Sequence, residues 1–408
     1  MSPAAAEDVV LGAVPAAVAD PATVEEAAEI VGETARSRKT LLFVGGGTDL
    51  ELGAFPDRLD VLLRTRRLDR IVEHAPSDQI VVVEAGVTLA ALGRALASSG
   101  QRLALDPPLP ERATVGGAVA ANAFGPRRAR YGSARDLIIG ISIVRADGVR
   151  ASAGGKVVKN VAGFDLPKLM VGSLGTLGLI ATATFRLHPI PEDSATLLSP
   201  GLRAADVVAL AGQIREAQLE PDSAVAFRTG PDRFDLAIRF EGFSRGVAEQ
   251  RERFAALVAK ELRVPCDALD GAAAAALWSR HDAARRHGDF RAKVAALPHR
   301  FDEVERKVLA PLSAALERAE GVWYPTLGLG FLGGDAASAS SAASAVSSCR
   351  SALAESGGTL VVLAASGAVR AETDVWGPPP PAVALMRGVK SRLDPDRRLA
   401  PGRFVGGI

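Results

Sequence analysis

Residues 154–180 read GGKVVKNVAGFDLPKLMVGSLGTLGLI. Gly163, Gly172, Gly175 and Gly178 interrupt a run that is otherwise apolar enough to be buried. A glycine inside a regular buried element weakens it, so four of them imply left-handed turns or surfaces where something must come close to bare backbone. A nucleotide-binding P-loop is one possibility, but Val157 follows Lys156 where that loop needs a serine or threonine for magnesium.

Outward from this stretch, the chain reads as strands joined by glycine-rich turns. LIIGISIVRADGVRASA (137–153) predicts a hairpin turning at Asp147-Gly148, and ATATFRLHPIP (181–191) predicts a strand ending at its prolines. Upstream, Thr23 and Glu26 form a capping-box pattern at a helix start. TLLFV then runs into Gly45-Gly46-Gly47-Thr48-Asp49, which is either a plain glycine loop or a nest of amides for anionic oxygens. DVLLRT and QIVVVEAGV are further strands, and Thr88 to Gly100 is a helix with Leu89, Leu92 and Leu96 as its buried stripe. A second glycine loop, ATVGGAVAANAFGPRRARYGSARD (113–136), offers Gly116 and Gly117 for close approach and Thr114 and Asn122 as hydrogen-bonding side chains. The cluster Arg127, Arg128 and Arg130 would read as solvated surface were it not beside those glycines.

Beyond residue 195 the character changes. Helical patterns near 204–218, 246–260, 268–286, 301–319 and 336–356 alternate with short strands, predicting an α+β domain with helices over a sheet. Gly328 to Gly333 satisfies GxGxxG, yet no βαβ repeat flanks it, so it reads as a glycine-bearing strand. The prolines of WGPPPPAVAL mark a return between domains.

Several functions are disfavoured by composition. A net charge of +1 gives no footprint for nucleic acid. The two cysteines, Cys266 and Cys349, cannot hold a four-thiolate iron–sulfur cluster. The five histidines show no metal-binding spacing, so no metal is expected, and GxSxG is absent. The N-terminus lacks a signal-peptide pattern, and no apolar run is long enough for a membrane span. The expectation is a cytoplasmic protein without direct membrane insertion, with any membrane association made through partners.

The three glycine segments together resemble the PCMH-type FAD-binding domain of the vanillyl-alcohol-oxidase flavoproteins. KNVAGFDLPKLMVGSLGTLG is most similar to the small FAD-binding subunit of glycolate oxidase. The resemblance covers about residues 20–195 and returns at LDPDRRLAPGRF. It implies an α+β fold. A PCMH-type domain of two α+β subdomains (1–195) precedes an α+β cap with an antiparallel sheet (196–378), and a segment (379–408) returns to the first domain. It implies FAD against Gly45, Gly46, Gly47, Thr48 and Asp49 in the first loop. In the second loop the implied positions are Thr114, Gly116, Gly117, Asn122 and Tyr131, and in the third Gly175, Thr176 and Ile180. Thr48 and Asp49 stand where many relatives carry a flavin-linking histidine, which implies non-covalent FAD. Ala400 replaces the family's usual asparagine in the tail.

The implied partners are a larger catalytic flavoprotein subunit and an iron–sulfur subunit, and the implied substrate is a small hydroxy acid, glycolate. The alternatives are a stand-alone FAD-dependent 2-hydroxy-acid dehydrogenase and a scaffold that has lost FAD. No catalytic base is assigned. His281, Arg280 and Arg285 are the nearest candidates, and Lys156 and Lys159 are open to phosphate or to a partner subunit.

Overall fold

The computed structural model describes residues 1–5, 8–156 and 163–408. Lys159 lies outside the described residues. The chain forms two compact units: 1–125 with 132–190 and 378–408, and 191–377 with 126–131. A linear division at 195 and 378 cannot express the excursion of 126–131 into the second unit.

In the first unit, Ala17–Ala19, Val61–Arg64 and Leu41–Val44 make a three-stranded parallel sheet in that spatial order. The helix Val24–Arg36 supplies the crossover, and Thr23 caps it by accepting from the Glu26 amide. A five-stranded antiparallel sheet follows, ordered Ile71–Ala75, Ile80–Glu84, Leu179–Arg186, Ile138–Val144, Arg150–Gly154. The Asp147-Gly148 hairpin is present, with Gly148 at φ 84°. The helices Leu89–Ala97 and Val115–Ala121 pack their apolar residues on one face of this sheet, around Leu92, Leu96, Val115, Val119, Ile141 and Phe185. Val144, Leu179 and Ala181 face the other way and join the parallel sheet's core with Leu41, Leu63 and Val31. Period-two alternation thus feeds two cores from the same strands.

The second unit is built on an eight-stranded antiparallel sheet. Its order is Asp267–Leu269, Asp193–Leu202, Arg233–Gly242, Ser223–Gly230, Leu316–Tyr324, Leu329–Ala336, Phe290–Ala295, Thr359–Ala364. Phe301 stacks on Trp323 at 4.6 Å and meets Phe234 edge-on at 4.9 Å in its core. Gly328–Gly333 belongs to the 316–324/329–336 hairpin, so the GxGxxG match is a strand, and Gly330 is bare because the Trp323 ring lies against it. The expected helix over 301–319 ends at Ala314, and Leu316–Tyr324 is a strand. LERAEGVWY is polar at its start, which hides the strand; pairing with Leu329–Ala336 on one side and Ser223–Gly230 on the other decides it.

The C-terminal segment closes the first unit. After the helix Val383–Leu393, the chain runs beside Leu41: the Leu41 amide donates to Arg398 O (2.8 Å) and the Ala400 amide to Leu41 O (2.7 Å). Lys390 is buried, and its Nζ donates to Thr176 O (2.8 Å), Leu399 O (2.8 Å) and Asp394 Oδ2 (2.6 Å). Three donors meet three acceptors, which is what a buried ammonium requires. Burial pushes the Lys390 amine below its ordinary value, and the Asp394 carboxylate opposes that. Asp394 also accepts from the Arg398 and Leu399 amides. Lys390→Met is expected to destabilise the protein by about 3–5 kcal/mol in denaturant melts, because Asp394 is left charged and buried.

Candidate functional site

A cleft of about 770 Å³, counted with its open mouth, lies in the first unit. Its walls are the three glycine segments: 42–50, then 116–121 with Ala85, then 174–180; Arg403 from the tail completes it. Of the positions expected to bind cofactor, Gly45, Gly46, Gly47, Thr48, Asp49, Gly116, Gly117, Gly175 and Ile180 line it.

The others sit elsewhere. Thr114 is buried behind the wall as the cap of Val115–Ala121, accepting from the Gly117 amide at 3.3 Å. Asn122 ends that helix in the left-handed region at φ 48°. Thr176 is buried, donates to Ser173 O (2.7 Å) and offers its own carbonyl to Lys390. Tyr131 belongs to the second unit. Lys156 is exposed and pairs with Glu73 (2.5 Å) on the surface. Gly178 lines the cleft, whereas Gly172 does not.

The glycines have two separate reasons. A Cβ at Gly46 would fall 1.7 Å from Arg112 O, at Gly45 2.1 Å from Thr114 Oγ1, and at Gly116 2.5 Å from the Ala85 Cβ. These keep loop packed against loop. Gly47 and Gly175 instead adopt φ +71° and +73°, where other residues are strained. Nothing lies within 4 Å of a Cβ built on Gly47, so its backbone faces open space.

The amides of Gly46 and Gly47 make no hydrogen bond to any described residue. Two free N–H groups at the end of a strand, with Arg403 also lining the cleft, suit an anionic pyrophosphate. Arg403 is buried, and its Nη2 donates to Leu50 O (2.8 Å) and Leu52 O (2.5 Å), which fixes the end of the first loop. Leu42, Phe43, Leu174 and Leu179 give the cleft flat apolar walls. The arrangement fits a dinucleotide: bare backbone donors, one cation and apolar flanks. Sequence reasoning missed Arg403, 354 positions after Asp49 (403 − 49), whose only signal was the returning tail.

Residues 15–154 match the family described as FAD binding domain. The chain carries a PCMH-type FAD-binding domain. Over 185 residues it is 38% identical to the glycolate oxidase subunit GlcE of Escherichia coli, covering 45% of the chain and 51% of that protein. Over 202 residues it is 36% identical to a D-lactate dehydrogenase of Archaeoglobus fulgidus, covering 49% and 43%. The chain spans about half the length, or less, of the curated relatives it matches. Its fold is similar to a solved alkyldihydroxyacetonephosphate synthase, with TM-score 0.71 and 16% identity over 95% of the chain and 77% of that structure. No helix among the described residues is long and apolar enough to cross a membrane.

The candidate base in the second unit, His281, is 1% exposed. Its Nε2 meets Tyr324 Oη at 2.7 Å and its Nδ1 meets Asp282 Oδ1 at 2.9 Å. Burial holds its pKa below the ordinary histidine value, with Arg285 and Arg239 adding to the depression and Asp282 opposing it. Arg280 lies over Phe227 (5.2 Å) and Arg285 over Phe331 (4.1 Å).

Gly46→Ala cannot be accommodated against a backbone carbonyl and is expected to abolish folding or flavin content. Gly47→Ala is expected to fold with a loss of about 1–2 kcal/mol, read by denaturant melts and by flavin absorbance per protein. A histidine whose pKa the fold lowers gains a proton on unfolding near its unfolded pKa of about 6.5. Stability should therefore fall as pH drops from 7 to 5, and thermal melts of His281→Asn should show a shallower slope over that window.

Proposed function

We propose that this chain is the FAD-binding subunit of a complex that oxidises glycolate to glyoxylate and passes the electrons to a partner subunit. The likeness to GlcE supports the choice of system. The observation that supports the accessory role is the burial of His281, the one histidine among the candidate bases, at 1% exposure between Tyr324 and Asp282. The partners are a larger catalytic flavoprotein subunit and an iron–sulfur subunit, since two cysteines cannot carry the cluster.

When bound, FAD would supply an electron relay or a structural cofactor in this subunit, the substrate's electron pair being taken by the larger flavoprotein subunit. The chain's own residues do the holding. The Gly46 and Gly47 amides and the Arg403 guanidinium take the pyrophosphate charge, and Thr48 and Asp49 flank them. Gly116, Gly117, Gly175 and Ile180 let the cofactor lie against backbone. Thr114, Asn122 and Thr176 act behind the wall, shaping the loops that carry those contacts. FAD is held without a covalent bond, because Thr48 and Asp49 occupy the position of a linking histidine. The protein works in the cytoplasm and reaches any membrane through its partners.

The 36% identity to a D-lactate dehydrogenase favours a second reading, a stand-alone 2-hydroxy-acid dehydrogenase. Anaerobic mixing with glycolate separates the two. The isolated, FAD-loaded chain should keep its flavin oxidised, and addition of the larger subunit should allow bleaching. Bleaching by the chain alone would sink the accessory role, and a colourless protein that does not take up added FAD would sink the cofactor role.

A further inference from the structure

The eight lysines of this chain have very different surroundings. Lys390 is buried with three acceptors, while Lys156, Lys168, Lys260 and Lys307 pair with carboxylates on the surface. Lys293 has neither arrangement. It lies in the central part of Phe290–Ala295, half-buried, and makes no hydrogen bond or ion pair with any described residue. An amine so placed has lost much of its hydration and gained no acceptor.

Its neighbours are cations and an aromatic ring. Lys293 sits directly across the ladder from Phe331, and cross-strand partners share a face of the sheet. The Arg285 guanidinium lies 4.1 Å over that same ring. Burial lowers the Lys293 pKa, and the charges of Arg128 and Arg285 lower it further. All of these groups belong to the second unit. Desolvation beside another cation is a known route to a nucleophilic amine at neutral pH. The same guanidiniums would draw in a carboxylate.

We propose that Lys293 is a reactive amine that captures an α-oxo acid, with Arg285 and Arg128 holding the carboxylate and Lys293 Nζ bonding to the carbonyl carbon. The neutral amine adds its lone pair to the carbonyl carbon, and the carbonyl oxygen takes a proton. Loss of that oxygen as water, with the remaining amine proton going to solvent, leaves an imine. One carbonyl and one amine are consumed, one water is released, and no oxidant or reductant takes part. An α-oxo acid is the product class of 2-hydroxy-acid oxidation, so the site would retain or sense product. The choice of glyoxylate as its natural occupant rests on the proposed glycolate reading; the reactive amine does not.

Borohydride reduction fixes an imine as a stable secondary amine that peptide mass mapping locates. The FAD-loaded chain is treated with glyoxylate, with pyruvate, or with acetaldehyde, which has no carboxylate, each followed by borohydride. Glyoxylate should label Lys293 in preference to the other seven lysines, and acetaldehyde should show no such preference. Arg285→Gln should lower the Lys293 yield about tenfold, the loss of one charged hydrogen bond, while unchanged circular dichroism shows the fold is kept. Lys293→Arg should remove the preferred label and leave flavin content unchanged. Labelling spread over lysines in proportion to exposure, or a Lys293 unlabelled by both oxo acids in the folded protein, overturns the proposal. Preferred labelling by pyruvate with none by glyoxylate supports the reactive amine and counts against the glycolate reading.

Discussion

The first unit depends on one buried ammonium. Lys390 has no water to turn to, so its three N–H groups must find protein oxygens. The three it finds belong to the third glycine segment (Thr176), to its own helix end (Asp394) and to the tail (Leu399). Because the charge is costly to leave unpaired, these three pieces of backbone are held in one arrangement. Asp394 extends the node by accepting two tail amides, and the tail then runs beside Leu41 toward Arg403. A side chain outside the cleft lining thereby helps fix the tail that carries Arg403 into it.

Close packing supplies the second constraint. The first loop can lie against 112–114 only because Gly45 and Gly46 have no side chains. Gly53 meets Arg403 in the same way, with the carbonyl 2.7 Å from where a Cβ would be. What remains facing outward is backbone amide, which binds anions without moving. Most of the glycines bring protein walls together, and fewer are bare for the ligand itself.

Polar groups buried in the second unit are handled by mutual satisfaction. Arg239 and Asp222 pair at 2.7 Å, Arg228 and Glu305 at 3.1 Å, and His281 sits between Tyr324 and Asp282. Each pair offsets the cost of taking charge or dipole out of water. Lys293 differs from these pairs: cations lie near it, and it has no acceptor among the described residues. This contrast, more than any motif, distinguishes a group available for chemistry from one consumed by folding.

Much of the architecture was legible in the chain. Thr23 and Thr88 announce helix starts, Asp147-Gly148 announces a hairpin, and strand alternation announces the sheets, because these depend on residues a few positions apart. The three glycine segments also mark the walls of the first unit's cleft, since bare backbone is supplied best by glycine. Tertiary structure alone decided the rest. Thr114 and Thr176 are expected as ligand contacts, and the fold buries both outside the cleft lining. His281 looks like a base, yet it is sealed in a core. Arg403 and Lys293 carry no local signal, and their surroundings come from charges and carbonyls brought beside them by distant segments. Desolvation, like-charge proximity and the pairing of buried donors are properties of three-dimensional neighbours, which no spacing along the chain encodes.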